Sequence, residues 1–208
     1  LQPRVRPVEP EQNTRRTVTL TDARVSVPSF STQWVVPSYH TGKPGEAEAL
    51  DLLAEILGGG TRSRLYQQLV VKQGIASSVG AYFQGTMLDA TNFTVYATPS
   101  GDAKLADVEA AVNAEVTRIA KEGVTEEEVD KAKLRLERSM VFARDKQETM
   151  ANMYGATLAT GGTVEDIRKW PDRIGKVTAD EVKAVAARYL VLDHATTGYL
   201  LPQQQAGN

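Results

Sequence analysis

The chain has 208 residues, 41% hydrophobic, 24% charged and 6% aromatic, which are ordinary proportions for one globular domain with a sizeable core. Its 24 basic and 26 acidic side chains are interspersed and leave a formal net charge of −2, so no strong field points to nucleic acid or an anionic membrane. The absence of cysteine excludes a disulfide framework, a thiolate zinc site and a cysteine nucleophile, and no apolar run approaches the roughly 18–20 residues that cross a bilayer.

Residues 1–15 read as an interdomain linker, because Leu1 to Asn13 mix three prolines with charges and few large apolar groups. The opening at Leu1 rather than Met leads us to expect that a preceding segment has been removed. A folded domain is expected over 16–202, followed by a polar tail, 203–208. Alternating Val18 and Leu20, then Val25 and Val27, then Trp34, Val35 and Val36, predict two strands, with Pro28 confined to an edge or bulge. Gly45 to Leu57 places Ala49, Leu52, Leu53 and Ile56 on one helical face, and Gly58, Gly59 and Gly60 end that helix. Thr61 or Ser63 can cap a second short helix that stops at Gly74. Ile75 to Gln84 and Thr91 to Thr98 predict an antiparallel hairpin.

The remainder predicts helices. Leu105, Val108, Val112, Val116 and Ile119 form one apolar stripe that ends at Gly123. Thr125 with Glu128 forms a capping box before a long helix through Val129, Ala132, Leu136 and Met140. Further helices follow over Met150 to Leu158 and Val164 to Ile174, and Thr178 with Glu181 caps a last one before a final strand, Ala195 to Leu201. This order implies an α+β fold: a largely antiparallel sheet with helices packed on one face and the last strand paired with the early ones.

Hydrolytic zinc sites need several ligands on one face, most often two histidines and a glutamate base. Only His40 and His194 exist, and Lys43 and Pro44 stand where an inverted motif starting at His40 needs its glutamate and second histidine. Asp193 adjoins His194, but neighbours on extended chain point to opposite faces. No catalytic or metal-binding residue is therefore assigned. No G-x-S-x-G elbow supports a serine nucleophile. Glu126, Glu127 and Glu128 are explained by the dipole of the helix they open. Gly58 to Arg62 lacks a G-K-[ST] ending and follows a helix, so it is read as a helix terminus rather than a phosphate loop. Arg62, Arg64, Lys72 and Arg118 form no run and are read as a solvated face.

From Ile56 to Phe83 the sequence resembles the repeated domain of the pitrilysin/insulinase and mitochondrial-processing-peptidase type of zinc metallopeptidase. Leu57 to Gly60, Ser63 to Tyr66, and Lys72, Gly74, Ile75, Ala76, Ser78 and Val79 follow that family's L-G-G-G, S-R-L and strand-entry pattern in order. Similarity extends over roughly Arg16 to Pro202. Family members consist of two such halves, the first bearing H-x-x-E-H, and this chain has no such motif, so it resembles the second, non-catalytic half. In some second halves an arginine and a tyrosine hold substrate; Val70 and Ser77 stand at the matching positions here. The resemblance implies several partners and a cofactor outside this chain. Zinc belongs to the missing N-terminal half, the principal partner, which docks on an apolar surface; a homologous partner subunit supplies the arginine and tyrosine; peptides are the substrates of the closed chamber. It also implies a periplasmic location. The cytochrome bc1 core subunits share the resemblance without hydrolysis, so a scaffold role is the competing expectation, and an independent module binding peptides at a sheet edge is a third.

Overall fold

The structure, a computed structural model, describes residues 10–203. Of the linker expected over 1–15, residues 1–9 lie outside the described residues, as do residues 204–208 of the tail expected over 203–208. Five strands form one sheet in the order β1 (Arg16–Asp22), β5 (Thr196–Pro202), β2 (Ser29–Val36), β4 (Thr91–Pro99), β3 (Ala76–Phe83). Only β1 and β5 run parallel; the other neighbours are antiparallel. The last strand does pair with the first two. Val25 and Val27, expected in a strand, lie in the connection between β1 and β2, where Val25 donates its backbone N–H to Asp22 in a turn.

Alternation along β2 sets the two faces of the sheet. Phe30, Thr32, Trp34 and Val36 are buried, and Gln33 and Val35 are exposed. Trp34 meets Phe93 of β4 edge to face at 6.5 Å between ring centroids, and its indole N–H donates to the carbonyl of Val191 at 2.9 Å. Over this face lie α1 (Glu46–Gly58), α2 (Leu105–Glu122) and α6 (Ala179–Tyr189). The single apolar face expected of α1 understates its burial. Ala47, Glu48, Leu50, Ala54 and Leu57 are buried as well, because β3, α6 and three other elements surround the helix. Gly58 permits the closest approach: a Cβ there would fall 1.9 Å from the backbone nitrogen of Ala81.

The second helix is neither capped nor α-helical. Tyr66–Lys72 is a π-helical turn without a side-chain cap, and the Ser63 hydroxyl instead donates to the Gly60 carbonyl at 2.7 Å. Arg64 corrects the solvated-face expectation. Its guanidinium is half-buried, donates to both carboxylate oxygens of Glu128 at 2.7 Å and to the Gly123 carbonyl at 3.1 Å, and lies 3.6 Å from Glu115. It thereby pins the start of the π turn to the end of α2 and the start of α3 (Glu126–Ala143).

The capping boxes at Thr125–Glu128 and Thr178–Glu181 form, and a third joins Thr163 to Asp166 ahead of α5 (Val164–Lys176). Beyond Ala132 the outer helices are thinly covered. Leu136 and Met140 are only partly buried, α4 (Gln147–Ala159) buries no residue, and α5 buries only Ile174.

Candidate functional site

His40 occupies the turn between β2 and α1, and His194 a 3-10 turn between α6 and β5; both are exposed, as is Asp193. Among the described residues no group of three or more His, Cys, Asp or Glu is placed to hold a metal ion, so these donors do not fit the zinc ion of the resembled family. Ser77 is exposed in an irregular stretch of β3, and its hydroxyl donates to the Pro99 carbonyl at 2.8 Å. Val70 is half-buried in the π turn, packed against the core. Glu128 closes the α3 cap and receives Arg64, which holds its carboxyl down at about 2.

The face of the sheet opposite the helices is polar and aromatic. Gln33, Thr94 and Tyr82 stand in one row across β2, β4 and β3, and Ser31, Tyr96 and Gly80 in the next. The rings of Tyr82 and Tyr96 are exposed and 6.3 Å apart. Gly80 leaves room for the Tyr96 ring, since a Cβ there would come within 2.6 Å of the Tyr96 hydroxyl and the ring would have to shift. At the edge of the sheet β1 adds exposed Val18 and Leu20.

A concavity of about 540 Å³ lies where the N-terminal half of α1 meets the turn after β2, the end of β3 and the outer helices. Phe83, Met140, Met153 and Ile167 wall it, and Asp51 and Glu48 reach it from α1. The Tyr39 hydroxyl donates to Asp51 Oδ2. The Trp170 indole N–H donates to Tyr39 at 2.7 Å and reaches the same Asp51 oxygen at 3.4 Å. Burial is the main cause that pushes the Asp51 carboxyl up to about 7, against the pull of those two hydrogen bonds, with the nearby Glu48 carboxylate raising it further. Burial likewise drives the Tyr39 hydroxyl well above its ordinary value. Glu48 is itself paired with Arg173, whose guanidinium stands 6.0 Å from the centre of the Tyr39 ring. The sequence carried one signal of this cluster: Asp51 interrupts a run of apolar residues, Ala49, Leu50, Leu52 and Leu53.

The family described as the peptidase M16 inactive domain matches residues 1–136. The chain belongs to this family. A relative from Streptomyces coelicolor, named an uncharacterized zinc protease, is 33% identical over 153 residues, covering 70% of this chain and 32% of its own length. The chain thus spans about a third of that relative. A protease from Helicobacter pylori matches 97% of this chain with 48% of its own, at TM-score 0.83 and 22% identity. An inactive peptidase domain from Bordetella parapertussis matches 91% of this chain with 97% of its own, at TM-score 0.76 and 21% identity. The same fold recurs in the periplasmic protease PqqL of Escherichia coli (TM-score 0.67, 17% identity, 92% of this chain and 21% of that one). It recurs again in Complex III2 of Candida albicans (TM-score 0.73, 14% identity, 91% and 46%). This protein is therefore an M16 inactive peptidase domain on the α+β architecture expected from its sequence. Among the described residues no helix is long and apolar enough to cross a membrane.

Proposed function

We propose that this inactive domain is the supporting half of a zinc metalloendopeptidase, without hydrolytic chemistry of its own, and that it completes a peptide-binding chamber formed with a zinc-bearing N-terminal half. The observation that carries this reading is the pairing of two unequal surfaces on one domain. One is the open sheet face bearing Ser31, Gln33, Tyr82 and Tyr96; the other is the outer helical layer, with Val141, Phe142 and Leu158 exposed by 58%, 69% and 51%. An extended peptide can use hydroxyl, amide and aromatic groups of the first. The second gives the N-terminal half an apolar surface to cover. The chain's share of the zinc protease from Streptomyces coelicolor supports a missing half, and the location of PqqL supports a periplasmic setting.

The test is to purify this chain and the upstream half, separately and mixed, and to measure zinc content and peptide cleavage. Zinc and cleavage should reside in the upstream half or the mixture and be absent from this chain alone. Tightly bound zinc or cleavage by this chain alone would overturn the proposal. The likeness to Complex III2 favours a scaffold role as the second reading. A mixture that associates yet neither binds zinc nor cleaves would select it.

A further inference from the structure

We propose that the cavity beside α1 is a binding site for an organic cation, a primary ammonium or guanidinium carried on an apolar stem. It goes beyond the chamber role and does not depend on it, because the cavity lies among the helices and loops and not on the open sheet face. Its volume of about 540 Å³ falls within the range of small-molecule sites. The walls formed by Phe83, Met140, Met153 and Ile167 suit an aliphatic stem.

The charge inventory selects the sign of the ligand. Glu48 is neutralised by Arg173. Asp166 spends Oδ2 on the α5 cap, and it is exposed at the mouth together with His40 and Lys43. That leaves Asp51 as the interior carboxyl without a cationic partner. Its Oδ2 receives Tyr39 and Trp170, while no hydrogen bond from a described residue reaches its Oδ1, and Asp51 lines the cavity. An anion would meet Lys43 at the mouth, but inside it would face the Asp51 carboxyl, since Arg173 is already paired with Glu48. A neutral apolar guest would strand the free oxygen of Asp51, at the usual cost of an unpaired buried acceptor. A cation satisfies it, and the aromatic rings of Tyr39 and Trp170 add an attractive surface for positive charge.

Two sources offer this chemistry, a basic side chain of a peptide and a free polyamine. The test titrates the unmodified chain with Nα-acetyl-lysine methylamide, with its norleucine counterpart and with spermidine, following tryptophan fluorescence and heat. The lysyl probe should bind at least about tenfold more tightly than the norleucine probe. Affinity should rise from about pH 6 to about pH 8, because Asp51 must release its proton to pair with the cation. In Asp51→Asn both the preference and the pH dependence should vanish. Given that preference for lysyl over norleucine, tighter binding of the lysyl probe than of spermidine assigns the site to peptide side chains, and the reverse assigns it to free polyamines; either order upholds cation recognition. Equal affinity for lysyl and norleucine probes, no binding by any probe, or undiminished binding by Asp51→Asn would overturn it. The lysyl and norleucine comparison needs no variant, so it stands even where Asp51→Asn does not fold. Cleavage by the recombined halves is a separate readout, so failure here and failure of the chamber proposal are distinguishable.

Discussion

The domain has two regions built to different standards. Where α1, α2 and α6 meet the sheet, Leu50, Leu52, Leu53, Leu57, Val108, Val116, Ile119 and Val182 are fully enclosed. The layer formed by the second half of α3 with α4 and α5 buries almost nothing, although it carries leucines, valines, methionines and a phenylalanine. The difference lies partly in apolar content, since seven of the 13 residues of α5 are charged, and partly in what covers the apolar residues that the layer carries. The first region holds the enclosed core; the second leaves large apolar side chains such as Val141, Phe142 and Leu158 exposed among charged ones, a surface suited to being covered by a partner.

The sharpest contrast should come from the inner region. Gly58→Ala forces a Cβ against the Ala81 backbone at 1.9 Å, where no flexible side chain can yield, and should cost about 3 kcal/mol, the upper end for overpacking. Leu53→Ala should cost about 2–5 kcal/mol by leaving a cavity at a fully enclosed position. Urea unfolding of both variants checks these values, and a loss under about 1 kcal/mol for either would show that the inner region relaxes as the outer one can.

A smaller effect is expected at the seam between the regions, where Arg64 holds α2 to α3. Arg64→Ala leaves Glu128 and Glu115 without this partner and should cost about 1–3 kcal/mol near neutral pH. The Glu128 carboxyl is depressed from 4.5 to about 2, so the folded state releases its proton more readily than the unfolded state. The stabilisation is therefore present above the unfolded value and disappears as pH falls through the folded one. Unfolding of the unmodified chain should show a decline between those values that is flattened in Arg64→Ala. An unchanged acid profile would remove Arg64 as its cause.

Much of the inner region could be read in the sequence, because alternation in β2, the stripe of α2 and two capping boxes are local patterns that tertiary packing left intact. Less legible were features set by distant neighbours. Gly58 ends a helix on local grounds, but its necessity comes from Ala81 across the sheet interface. Arg64 has no carboxylate near it in sequence, and its carboxylate partners arrive with α2 and α3. The third capping box was missed because aspartate replaced the expected glutamate at Asp166. For the candidate cavity, the sequence reading passed over Asp51, whose one local signal is a charge within an apolar run, and Tyr39, Trp170 and Arg173 come from separate elements that no spacing rule connects. The absent H-x-x-E-H motif was legible, being a short contiguous pattern.

Asp51 lies where the two regions touch, since α1 presents it to Trp170 of α5. Its carboxyl is raised from 3.8 to about 7, so across that interval the folded state holds a proton that the unfolded state has released. Stability should therefore fall as pH rises from about 4 to about 7 through this group alone. Asp51→Asn should remove that slope and leave the variant relatively more stable at pH 8 than at pH 5. The measurement is thermal unfolding of both proteins across this range, and parallel profiles would show that Asp51 is not the titrating group.

The smallest effect on stability should come from the outer layer, and it sharpens the comparison most. Phe142 is 69% exposed, so Phe142→Ala removes little that folding has buried and should change unfolding by less than about 0.5 kcal/mol. A supporting half that docks through this layer would still depend on the ring, because an aromatic side chain desolvated at an interface carries binding energy that the free domain never realised. The same substitution should therefore weaken association with the upstream half by about tenfold or more, measured by titration of one half into the other. The two numbers must diverge. If Phe142→Ala destabilises the isolated domain as much as it weakens association, the ring belongs to the fold and not to an interface. If neither quantity changes, the docking surface lies elsewhere, and exposed Val18 and Leu20 on the edge strand β1 become the next positions to substitute.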